Sequence, residues 1–185
     1  MSYSISLKIH PDTHQRFKDL HSRFNAGEQE SLAKLLGENL ADIACEIIDQ
    51  IFGRVVQLSS SPDQESEKVI QQILETTRKY MPWSVSFFGN DRLIPMVNYL
   101  YKMTHENEDG YFVRYPVERM LITELLGCVE QMKGGNNQYV SPALKAFIQV
   151  VDQGVTHLVR EPKKMLKFNV VVDKTLNGVI HLTTQ

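Results

Sequence analysis

Glu38, Asp42, Glu46 and Asp49 recur about one helical turn apart, a spacing at which carboxylates can hold metal ions inside a helical bundle. Di-metal carboxylate chemistry also needs Glu-x-x-His pairs on facing helices. The sequence contains no such pair. The ladder lies opposite a Leu/Ile stripe, so it is expected to be a solvated face. His10, His14 and His21 are the closest group of histidines. His14 and His21 are separated by about 10 Å along a helix, against zinc–nitrogen distances of about 2 Å. They flank Phe17, Leu20 and Phe24 and read as packed core residues. His157 has Glu161 one turn further on, the spacing of a helix-end charge pair. Cys45 and Cys128 sit in apolar helical patterns and make neither a disulfide framework nor a zinc pattern. They read as reduced core cysteines.

No nucleophile elbow, phosphate-binding loop, dinucleotide fingerprint or zincin motif is present. Lys133–Gln138, KGGNNQ, has two glycines but neither the spacing nor the Lys-Ser/Thr ending that cradles a phosphate. The sequence therefore assigns no catalytic residue, no metal ligand and no cofactor.

Two groups of residues point to binding instead. The segment from Tyr80 to Tyr115 is rich in aromatic residues and methionine, which suits interfaces and ligand pockets. Within it, Trp83, Phe87, Phe88, Arg92 and Tyr99 are the candidate ligand or interface residues. Arg160, Lys163, Lys164 and Lys167 cluster in REPKKMLK and could meet an anionic partner. The simpler reading of that cluster is a solvated connector whose cations complement the negative end of a helix.

The elements that must position these residues are mostly helical. Tyr3, Ile5, Leu7 and Ile9 alternate as in a strand with one buried face, over residues 3–9. His10-Pro11 stops it. Asp12 and Gln15 then form a capping box for a helix ending at Asn25-Ala-Gly27. Leu32, Leu36, Leu40, Ile43, Ile47, Ile51 and Val55 make one stripe, widened by Leu35, Ala44, Ile48 and Phe52. This predicts a single long helix, with Gly37 and Gly53 as points of close helix approach. Ser61-Pro62 starts a third helix that Met81-Pro82 ends. WSVSFFGN is less regular. Asp91 caps a short helix, and HENEDG is a solvated loop. Tyr115-Pro116 and Ser141-Pro142 begin two more helices. Alternation over 166–173 and 179–184 about Asn177-Gly178 predicts a hairpin. It is expected to pair with the N-terminal strand, since a lone hairpin is marginal in water.

LAKLLG, Leu32 to Gly37, resembles the opening of a helix-turn-helix regulator. Continuing that alignment places Glu46 at an apolar position, where an unpaired carboxylate is costly. The recognition surface would be Asn39, Leu40, Ala41, Ala44 and Cys45, of which only Asn39 is a common reader of base edges. Glu38, Asp42, Glu46 and Asp49 would repel phosphate. A continuous core helix accounts for every residue of the stretch.

The chain of 185 residues, with 42% hydrophobic content and a net charge of −2, is expected to form one globular domain over 1–185. Its charge argues against a nucleic-acid partner. No apolar run approaches the ~20 residues of a membrane span, and the N-terminus does not read as a signal peptide, so a cytoplasmic location is expected. The fold expected is mainly α: five to six helices around a long central helix, with a small antiparallel sheet of the N-terminal strand and the C-terminal hairpin. The function expected is a non-catalytic interaction or regulatory domain that self-associates as a homodimer or meets a protein partner. The alternative is a small-ligand or cofactor-binding domain with an apolar pocket near Trp83. An enzyme with dispersed catalytic residues ranks last.

Overall fold

The computed structural model describes residues 4–57, 64–107, 110–116, 153, 156–157, 159–161, 163–164, 166–171 and 179–184. Among these residues helix predominates. The order is β1 (Ser4–Ile9), α1 (Pro11–Asn25), α2 (Gln29–Gln57), α3 (Gln64–Ser86), α4 (Asn90–Met103), β2 (Thr104–Asn107), β3 (Gly110–Pro116), β4 (Leu166–Val171) and β5 (Val179–Thr184). No helix among them is long and apolar enough to cross a membrane. Tyr3, the Ser61-Pro62 cap, Cys128, the KGGNNQ loop, the Ser141-Pro142 helix start and the Asn177-Gly178 turn lie outside the described residues.

α1 begins two residues earlier than the capping box implies. His10 is the N-cap: its Nδ1 accepts from the Asp12 amide at 3.2 Å, and Pro11 takes the first helical position. Gln15 reaches forward to Asp19 at 3.0 Å instead of back to the cap. At the other end Gly27 adopts φ 102°, a left-handed conformation that lets the Gly27 and Glu28 amides bond back to Phe24 and Arg23 carbonyls. Phe17, Leu20 and Phe24 are buried as the periodicity implies.

α2 is one unbroken helix of 29 residues, about 43 Å long, and passes through both Gly37 and Gly53. Leu32, Leu36, Leu40, Ile43 and Ile47 are buried. Leu35, expected to widen this stripe, is 47% exposed instead, because it lies on the flank of the helix. α2 packs against α1, α3 and β1. The pairing with α3 is antiparallel: Gly37 faces Pro82, and further along Cys45 Sγ donates to the Leu74 carbonyl at 3.7 Å.

The acidic ladder is only partly solvated. Together with Asn39 and Gln50, two of its members form a second stripe on α2 that clamps the β1–α1 corner. Asn39 Nδ2 donates to the Thr13 carbonyl at 3.0 Å, and Asp42 pairs with Arg16 at 2.8 Å. Glu46 accepts from the Thr13 hydroxyl and from the His10 amide, each at 2.8 Å. The Gln50 carboxamide accepts from the Lys8 amide at 2.8 Å and donates to the Lys8 carbonyl. Glu46 is thus a paired carboxylate inside a continuous helix. Asp49 is exposed, as expected.

Met81-Pro82 does not end α3, which continues to Ser86 with Pro82 inside it. Proline removes one amide from the ladder, but the last turn still forms, and Met81, Pro82 and Val85 are buried. α4 starts at Asn90 with Gly89, not Asp91, at its N-cap, and it accommodates Pro95 in its interior. Leu93, Val97 and Leu100 are its buried face.

The sheet differs most from expectation. β1 pairs antiparallel with β3, Leu7 opposite Val113, and β2 occupies the other side of β3. His105–Asn107 and Gly110 of HENEDG are therefore in strands, and Tyr115-Pro116 closes β3, while the helix expected to follow it lies outside the described residues. The physical signal is Asp109-Gly110 followed by YFVRY, a turn dipeptide ahead of aromatic and β-branched residues. Gly110 takes φ 131°, open to glycine alone. The C-terminal hairpin forms as β4–β5, with Leu166 opposite Thr184, but as a separate two-stranded sheet lying against α3. Leu7 and Ile9 are buried, in keeping with the alternation.

Candidate interaction surface

The close contact at Gly37 sets the geometry of the aromatic site. With no side chain there, the backbone of α3 at Pro82 approaches α2 directly. One turn before Gly37, Lys34 Nζ lies 4.6 Å from the centre of the Trp83 ring. Trp83 is 51% exposed. Phe87, four residues on, is 76% exposed. Phe87 lies in the turn that directly follows Ser86, the last residue of α3. Leu35, beside Lys34 in α2, is a further exposed apolar side chain.

Two more cations lie over rings nearby. Lys79 Nζ is 5.2 Å from the Tyr80 ring, and the Arg92 guanidinium is 4.6 Å from the Phe88 ring. The turn between α3 and α4 is held by the Phe88 amide donating to Val85 O at 3.0 Å and by Arg92 and Leu93 amides converging on Gly89 O. Phe88 and Tyr99 are half-buried, so of the five expected residues Trp83, Phe87 and Arg92 are the most open. Sequence reasoning missed Lys34 and Leu35. Their only signal was proximity to Gly37 on the flank of the stripe.

The basic segment is wound into a turn. Lys164 pairs with Glu161 at 3.0 Å, and His157 Nε2 lies 2.5 Å from the Lys164 carbonyl. Glu161 therefore serves Lys164 instead of His157. Arg160, Lys163 and Lys164 are exposed, while the Lys167 side chain lies outside the described residues.

The remaining polar candidates are structural. Burial pushes the Cys45 thiol up to about 11, far from the range of a nucleophilic cysteine. His14 is buried and stacks on Tyr111 with ring centres 4.3 Å apart. Burial and the neighbouring Lys18 lower its pKa, against a smaller opposing pull from Glu106. His21 stacks on Tyr101 at 3.9 Å and meets Asn98. No group of His, Cys, Asp and Glu among the described residues is arranged to hold a metal ion. Ala41, Ala44 and Cys45, the surface that a helix-turn-helix would turn to DNA, are buried in the core.

Compared with protein-family models, with curated proteins and with solved structures, the chain matches none.

Proposed function

We propose that the chain is a non-catalytic interaction domain that self-associates as a homodimer in the cytoplasm, with the Trp83–Phe87 face as its contact. In this reading residues 1–185 form one domain, a bundle of five to six helices around α2. The helices expected after Pro116 and Pro142 supply the remainder.

The observation that carries the proposal is the exposure of two large aromatic side chains four residues apart at the end of α3, Trp83 at 51% and Phe87 at 76%. A single exposed apolar residue is ordinary, but grouped large ones mark contact surfaces. Trp is among the residues most often found at the centre of binding energy, and burying a Phe or Leu contributes about 1.5–3 kcal/mol each. Lys34 over the Trp83 ring and Arg92 over the Phe88 ring supply a polar rim.

Native mass spectrometry of the purified chain, without added ligand, tests this reading. A two-chain mass that reverts to one chain in Phe87→Glu supports it. A single-chain mass throughout the micromolar range sinks it. Extra mass beyond whole chains would replace it with the ligand-binding reading near Trp83.

A further inference from the structure

The joint between α1 and the β2–β3 hairpin holds a histidine in an unusual setting. His14 is 4% exposed, and its Nδ1 has no hydrogen-bond partner. Its ring lies almost flat on Tyr111, with 22° between the planes. Tyr111 is paired with Glu106 across the hairpin and with Ile9 of β1. The stack thus ties a helix face to the end of the hairpin at Asn107–Gly110.

We propose that His14 is an acid-sensitive latch, and that its protonation loosens the β2–β3 hairpin from α1. Placing a cation there costs desolvation, and in the cation both ring nitrogens carry a proton while Nδ1 has no acceptor. The charged and titratable groups around it do not offset this. Lys18, one turn further along α1, repels it. Glu106 on β2 attracts it more weakly. His10, one turn earlier, is exposed and already caps the helix. Lys8 of β1 extends toward the hairpin end, 3.1 Å from where a Gly110 side chain would begin. On α2, Glu46 is committed to Thr13 and His10.

The rest of α1 is held by contacts that do not involve His14. Asn39 holds Thr13 O, and Asp42 holds Arg16. Acidification therefore acts on one side of α1 only. The opened state solvates His14 and takes up its proton near the ordinary value of about 6.5. The closed state resists until lower pH. Between those two values, opening grows by up to about tenfold per pH unit.

The test is NMR on the full chain between pH 7.5 and 5.5, following amide protection factors in residues 104–113 and the His14 ring protons. The expected result is protection that falls with acid in the hairpin, but not at residues 39–47 of α2. His14→Phe keeps a ring against Tyr111 and removes the proton, so its hairpin protection should be flat with pH. His21→Phe should keep the wild-type response. The latch is overturned if His14→Phe loses protection as the wild type does. It is equally overturned if the His14 ring of the wild type titrates near 6.5 with the hairpin still protected, a measurement that needs no variant.

Discussion

Gly37 and Pro82 meet backbone to backbone: a Cβ at Gly37 would stand 2.8 Å from the Pro82 carbonyl oxygen and 2.9 Å from its Cα. Neither atom belongs to a flexible side chain, so neither can move aside alone. Gly37→Ala should therefore destabilise the fold by about 1–3 kcal/mol, as overpacking does, despite alanine's better helix propensity. Urea unfolding of the two proteins measures this. An unchanged or increased midpoint would mean that the helices part without cost.

Gln50 binds both the amide and the carbonyl of Lys8. Gln50→Ala should cost about 1–2 kcal/mol and raise amide exchange at Lys8. Glu46→Ala removes the acceptor for Thr13 and His10 and should cost a similar amount. The two changes act on adjacent parts of one corner, so the double variant should deviate from additivity. Equilibrium denaturation of the four proteins in the cycle gives the coupling.

Cys45 is buried and its thiol is pushed up to about 11. At pH 8 almost none of it is thiolate, and access is closed as well. Alkylation of the native protein followed by peptide mapping should leave Cys45 unmodified, and modification should appear only with denaturant. Ready labelling under native conditions would show that the α2–α3 contact opens on the timescale of the reaction.

Trp83 is the one tryptophan in the sequence, so intrinsic emission reports on the proposed contact surface alone. On dilution from a self-associated state, the emission maximum should shift to the red as the indole meets water. Phe87→Glu should show red-shifted emission at every concentration while changing stability by less than about 0.5 kcal/mol, as expected of an exposed site. Emission independent of concentration in both proteins would place self-association, if it occurs, elsewhere.

His14 also predicts a pH dependence of global stability. Its pKa is lowered in the folded state, so the unfolded chain takes up the proton first as pH falls. Its contribution is intact above about 6.5 and shrinks below that value, until the folded state is protonated too. Denaturant midpoints measured from pH 7.5 to 5 should fall less in His14→Phe than in the wild type.

What the sequence made legible follows from periodicity. Leu32, Leu36, Leu40, Ile43 and Ile47 in α2 and Leu93, Val97 and Leu100 in α4 recur at helical spacing, and they are buried. Gly37 was readable as a close approach because glycine in a long apolar helix has few other uses. The pairing of β1 was not readable, because strand partners are set by three-dimensional competition. An acidic loop and a Tyr-Pro helix start mask the strand signal in residues 104–116. Of the clamp of Asn39, Asp42, Glu46 and Gln50, only Asp42 and Glu46 stood out in the sequence, as members of the acidic ladder, and they read as solvent-facing until Thr13, His10 and Arg16 were placed beside them. Trp83 and Phe87 could be nominated by residue type, whereas their exposure depends on where α3 ends beyond Pro82.

The partnership of β1 with β3 bears on the order in which the chain is made. Among the described elements, every strand of that sheet and every helix packed on it precedes residue 117. A ribosome that has released Pro116 has released all of them. Had β1 waited for the C-terminal hairpin, its apolar face would have stood open until Val179–Thr184 emerged. Instead β1 finds its neighbours, and the α2 side chains that close its outer edge, with residues 117–185 still to follow.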